Sequence, residues 1–97
     1  MRQIIIIGGG AAGLMASGTA IKNGAQVTLI EHNEKLARKV MITGKGRCNV
    51  TNNTDIDGLI SAVTRNGRFL YSAFSTFNAK DTMALFESLG VPLKTER

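Results

Sequence analysis

Ile4–Ile21 carries no charged residue over eighteen positions, yet five glycines (Gly8, Gly9, Gly10, Gly13 and Gly18) interrupt it. The length reaches that of a transmembrane candidate, and Arg2 ahead of it mimics the start of a signal peptide. Glycine in a helix interior, however, costs up to about 1 kcal/mol relative to alanine. The strongly apolar block shrinks to Ile4–Ile7, four β-branched residues that favour a strand. Strand, tight turn and helix therefore explain the segment better than a membrane span or a secretory leader.

On that basis Gln3–Ile7 is expected as a strand buried on both faces, as parallel sheets require. Gly8–Gly10 forms a turn, Ala11 to about Asn23 a helix, and Gly24 supplies the left-handed residue that often ends one. Gln26–Ile30 follows as a second strand and closes on Glu31, so the pair makes a right-handed βαβ unit. His32–Ala37 reads as irregular, and Thr43–Thr54, rich in Gly, Asn and Thr, as a loop. Helical character is expected over Asp55–Arg65 and Arg68–Phe77, with a turn at Asn66–Gly67. Asn78 caps a last helix that presents Met83, Phe86 and Leu89 on one face and stops at Gly90 and Pro92. The fold class is thus α/β, within at most one domain for 97 residues.

Composition mainly excludes. With 43% apolar and 20% charged residues, disorder is not expected. One Cys and one His rule out an internal disulfide and a four-ligand zinc site, so no metal is expected. Four Phe, one Tyr and no Trp give little material for stacking nucleic-acid bases. The formal charge of +5 is compatible with anionic partners of any kind.

Gly8-Gly9-Gly10-Ala11-Ala12-Gly13 fits the dinucleotide-binding pattern G-x-G-x-x-G. Alone the pattern is weak; here it follows a strand, opens a helix, and has Glu31 eighteen residues beyond Gly13. That spacing is close to the roughly 20 residues expected for a carboxylate that accepts hydrogen bonds from a ribose. Gly8 permits the tight turn, Gly10 lets backbone approach a pyrophosphate, and Gly13 lets the helix sit close to the strand. Phosphates would meet free N–H groups and the positive end of the helix dipole. A Walker-type loop at Lys45 is rejected, because no glycine stands five residues before Gly44 and Gly46 follows Lys45 instead of Ser or Thr.

The pattern does not separate FAD from NAD. Thr43–Asn52 is a second glycine-bearing loop, at the end of a stretch, Lys35–Arg47, that holds five of the twelve basic residues. Backbone N–H groups freed by Gly44 and Gly46, with Arg47, suit an anionic cofactor. A solvated basic loop is the alternative.

The string TGKGRCNVTN, with RKVMITG before it and IIIIGGGAAGLMA at the start, resembles the BaiN/RdsA-type family of FAD-dependent oxidoreductases, and the resemblance extends to GVPLKTER. It implies that residues 1–97 are the amino-terminal part of an FAD-binding domain, the Rossmann-type βαβ start of a much longer two-dinucleotide-binding flavoprotein. Carried over by position, Gly8, Gly10, Ala12 and Gly13 match the pyrophosphate turn and Glu31 the adenosine ribose carboxylate. Arg38 and Lys39 fall where related flavoproteins run beside the phosphates. Gly44, Gly46, Arg47, Cys48 and Asn49 match the loop at the flavin. His32 either touches the adenosine end or is an exposed loop histidine. For Cys48 packing or a flavin contact is expected rather than redox catalysis, since disulfide reductases use two cysteines.

The resemblance implies FAD as cofactor, NAD(P)H as electron donor, and reduction of an activated C=C bond in a small-molecule substrate or an RNA base. Neither DNA nor a membrane is an expected partner, and a cytoplasmic location is expected. The alternatives are an NAD-dependent dehydrogenase and a non-catalytic nucleotide-binding protein. No residue of the sequence identifies the catalytic acid, the substrate or the oligomeric state.

Overall fold

The computed structural model describes residues 1–44 and 47–96. Two compact units divide the chain, Met1–Asn49 and Val50–Arg97. In the first, β1 (Gln3–Ile7) and β2 (Gln26–Ile30) pair in parallel, with Gln3 opposite Gln26 and Ile7 opposite Ile30. Between them runs α1 (Ala11–Lys22). The β-branched run of β1 and the QVTLI of β2 suit the pleated, half-buried surface of a sheet. Asn23 and Gly24 end α1: the Gly24 N–H donates to the Ile21 carbonyl at 3.0 Å and the Ala25 N–H to the Ala20 carbonyl at 3.0 Å. This pair of bonds is a Schellman ending, with Gly24 at φ +89°.

One expectation for β1 is corrected. Among the described residues the sheet is covered on one face: Ile4, Ile6, Val27 and Leu29 are half-buried, whereas Ile5, Ile7 and Ile30 are exposed. Alternate residues of a strand point to opposite faces, and α1 packs against one of them. The described residues of this unit supply no second layer for the other.

After β2 the chain makes bends and a turn through His32–Ala37, as its polar composition suggests, and enters α2 (Arg38–Ile42), a short helix that the residue pattern does not predict. Five residues are too few to display a helical period. Its entry residue, Ala37, takes a left-handed conformation (φ 56°) that no sequence pattern signals in an alanine. No element interrupts the described residues of the 43–54 loop.

The second unit is helical. The expected helix over Asp55–Arg65 is shorter, running as α3 over Ile56–Ala62. Val63 is extended (φ −77°, ψ 124°), in keeping with a β-branched residue. Gly67 then returns against Ile60, whose carbonyl would collide with any side chain placed there. Helix over Arg68–Phe77 is likewise revised: a 3₁₀ turn (Gly67–Leu70) precedes α4 (Tyr71–Thr76). The Asn66 carbonyl accepts the Phe69 N–H at 3.0 Å, a spacing that starts the tighter helix.

Asn78 does cap the last helix, α5 (Ala79–Ser88). Its side chain accepts from the Asp81 N–H at 2.9 Å, and its own N–H donates to the Asp81 carboxylate at 2.9 Å. This reciprocal box satisfies two N–H groups that a helix start leaves without partners. Replacing Asn78 by Ala is expected to lower stability by about 1 kcal/mol, read as a shift in urea midpoint at constant slope. Among the described residues no helix is long and apolar enough to cross a membrane.

Candidate nucleotide site at the end of the βαβ unit

The turn between β1 and α1 is built as the glycine spacing requires. Gly8 has φ +104°, a region open to glycine and strained for side chains. Its N–H donates to the Ile30 carbonyl at 2.7 Å, which extends the ladder beyond β1. Gly13 provides close approach. A Cβ there would overlap the Gly8 carbonyl oxygen and lie 3.6 Å from Cγ2 of Ile6, so α1 can meet the strand only without one. One turn on, the Ser17 hydroxyl donates to the Gly13 carbonyl at 2.7 Å.

Gly10, the N-cap of α1, differs. It is exposed, and a Cβ placed on it meets no protein atom within 4 Å. Among the described residues no side chain caps this helix, and no acidic residue stands in its first turn. The N–H groups at the start of a helix have no intrahelical acceptors, so this end offers unpaired donors and the positive end of the dipole. Ala12 lies exposed in that same turn. The glycine surface and the uncapped helix fit a pyrophosphate.

Glu31, directly after β2, sits within reach of this turn. Its side chain is 14% exposed and is engaged at both oxygens. Oε1 accepts the Gly9 N–H at 2.8 Å, and Oε2 accepts the Asn33 N–H at 2.8 Å. Nδ1 of the exposed His32 lies 3.3 Å from Oε2. The N–H groups of Asn33 and Gly9 hold the Glu31 carboxyl below its ordinary range, His32 adds a smaller lowering, and partial burial opposes them. A depressed folded-state pKa means that these bonds contribute fully above the ordinary glutamate pKa and are lost as pH falls through the lower value. The Gly9 and Asn33 amide proton shifts are therefore expected to titrate together, with a midpoint below that of an unperturbed glutamate. Two-dimensional NMR across the acid range checks this.

His32, Asn33, Glu34, Lys35 and Arg38 line an open recess of about 430 Å³. Arg38 reaches Asn33 Oδ1 at 3.3 Å, while the exposed Lys39 contributes its carbonyl to the Thr43 N–H at 3.1 Å. The structure thus brings Gly8, Gly10, Gly13 and Glu31 together at one end of the βαβ unit, with the 32–38 loop alongside. Farther on, the Arg47 N–H donates to the Gly44 carbonyl at 3.0 Å, and Gly44 has φ +80°. Gly46, expected in that loop, lies outside the described residues. Cys48 and Asn49 are exposed.

Sequence patterns do not single out Gly9, Asn33, Leu36 or Ala37, which make the contacts that hold Glu31 and the following loop. A third glycine at the free position of G-x-G is a usable signal for Gly9. Nothing in the residue types marks the other three.

Comparison with known proteins agrees with this architecture. The chain is 35% identical over 98% of its length to a 3-dehydro-bile acid delta(4,6)-reductase of Clostridium scindens. Over 90% of its length it is 38% identical to a ribosomal RNA dihydrouridine synthase of Escherichia coli and 33% to that of Haemophilus influenzae. It spans 23% of the first relative's length and 21% of each of the other two. Residues 2–97 match the HI0933-like protein Rossmann domain. With the parallel βαβ unit and glycine turn described above, the chain belongs to the HI0933-like Rossmann domain family.

Proposed function

We propose that residues 1–97 form the amino-terminal part of an FAD-binding domain, and that the whole protein is an FAD-dependent oxidoreductase fed by NAD(P)H. The glycine turn at the uncapped start of α1, with Glu31 beside it, carries the dinucleotide part of this reading, and the family membership with its reductase and synthase relatives supports FAD as that dinucleotide. Gly8, Gly10, Ala12 and Gly13 would hold the pyrophosphate, and Glu31 the adenosine ribose. Arg38 and Lys39 would stand near the phosphates, and Gly44, Arg47, Cys48 and Asn49 toward the flavin. Bound FAD supplies the hydride or electron transfer, and the protein supplies binding and orientation.

The electron acceptor in this reading is an activated C=C bond in a small molecule or an RNA base. Its support is the activity by which the relatives are named, one a bile-acid reductase and two ribosomal RNA dihydrouridine synthases. The reading includes a cytoplasmic location and neither DNA nor membrane as a partner.

The test is the visible spectrum of the purified full-length protein before and after anaerobic NADPH or NADH. A flavin spectrum that bleaches supports the proposal. A colourless protein that FAD cannot reconstitute overturns it in favour of an NAD-dependent dehydrogenase. A flavin that neither nicotinamide reduces points instead to a nucleotide-binding protein without this catalysis.

A further inference from the structure

Gly9 occupies the position that G-x-G-x-x-G leaves free, yet it is the most enclosed of the three consecutive glycines: Gly9 is buried, Gly8 half-buried and Gly10 exposed. Its φ is not positive, so conformational freedom does not explain it. Space does. A Cβ on Gly9 would overlap Cδ2 of Leu36 and lie 3.4 Å from both Cβ and Oε1 of Glu31.

Both backbone polar groups of Gly9 are committed to the segment after β2. Its N–H donates to Glu31 Oε1 at 2.8 Å, and its carbonyl accepts the Ala37 N–H at 2.7 Å. Glu31 and Ala37 are the two ends of the 31–37 loop, so the loop leaves and returns to a single residue. Ala37 makes its bond from a left-handed backbone (φ 56°), which is disfavoured for L-residues and persists where the surroundings enforce it. Between these pins His32, Asn33, Glu34 and Lys35 line the recess, and Arg38 follows directly.

We propose that Gly9 is a positioning residue of the nucleotide site: it anchors the 31–37 loop, and with it the recess, at a fixed place relative to the pyrophosphate turn. The ligand that profits is the adenosine-diphosphate half of the dinucleotide, and this part rests on the FAD reading above. Leu36 is the complementary half of the anchor, since its side chain fills the space that any substituent on Gly9 would claim.

The pair can be tested by a double-mutant cycle in the full-length protein: Gly9→Ala, Leu36→Ala and the two combined. Amide hydrogen exchange of the 31–38 segment without ligand reads the anchor itself. ADP affinity, measured on protein stripped of flavin, reads its consequence. Gly9→Ala should speed exchange across 31–38 and weaken ADP binding about twofold to threefold, the lower end for touching partners, because the half-exposed Leu36 side chain can turn partly aside from the new methyl group. Leu36→Ala frees the space claimed by the new methyl group, so the double variant should lie closer to wild type than Gly9→Ala alone. Exchange of the β1 and α1 amides reads general stability separately, and it should stay unchanged while that of 31–38 quickens. Leu36 is half-exposed, and its single variant should fold and show faster exchange even if Gly9→Ala does not fold.

Additive effects, or unchanged exchange in Leu36→Ala, would overturn the anchor. Coupled exchange in a protein that binds neither ADP nor FAD would uphold the anchor and overturn the FAD reading. ADP binding without coupling would overturn the anchor and leave the dinucleotide site in place.

Discussion

Gly13→Ala is expected to destabilise the protein by about 3 kcal/mol, the upper part of the range for overpacking, because the added methyl meets backbone. The Cβ would overlap the Gly8 carbonyl oxygen, and a carbonyl within a hydrogen-bonded turn cannot rotate aside as a side chain can. The first turn of α1 must then lift from β1, which moves the helix N-terminus and opens the contact with Ile6. Gly18 supplies the control. It lies on the same helix and is exposed, and a Cβ added there would meet no atom within 4 Å. Gly18→Ala should therefore raise stability by about 0.5–1 kcal/mol through helix propensity alone. Urea midpoints of the two variants should move in opposite directions. Equal shifts would mean that close packing at Gly13 is not what its glycine is for.

Gly10→Val is expected to separate folding from binding. The substituent points into open space, and the extended backbone of Gly10 (φ −83°, ψ −168°) accommodates a β-branched residue. Stability should fall by about 0.5–1 kcal/mol, because valine is a poorer N-cap than glycine. FAD affinity should fall at least 100-fold, or about 2.7 kcal/mol, because the isopropyl group occupies the space through which a pyrophosphate would reach the α1 N–H groups. Isothermal titration of the flavin-stripped full-length protein measures this, and thermal unfolding checks the fold. If Gly10→Val retains wild-type affinity, the phosphates do not sit at this turn.

Those two residues are legible in the sequence because their signals are local. The spacing of Gly8, Gly10 and Gly13 between a β-branched run and an alanine-rich helix states both the turn and the approach of helix to strand. Glu31 is legible by counting from Gly13. The ends of α1 and α5 are legible through Gly24, Asn78 and Gly90, each next to the helix end it completes. The second half is less so. Val63 ends α3 early, and Gly67 tightens the following segment into a 3₁₀ turn, because contact with Ile60 across seven positions sets that path.

Sequence by itself determined the βαβ unit, the glycine turn and the carboxylate beyond the second strand, since each depends on residues within one element or its immediate cap. Tertiary structure alone decided three further things. Among the described residues α1 covers one face of the sheet, because it is the layer that packs on both strands. Both oxygens of Glu31 are engaged by the N–H groups of Gly9 and Asn33. Gly9, free in the pattern, is confined by Leu36 and bonded to Ala37, residues far along the chain that the pairing of β2 beside β1 brings near it. Such contacts lie between backbone groups and shapes, which every residue type carries, and composition and spacing therefore do not encode them.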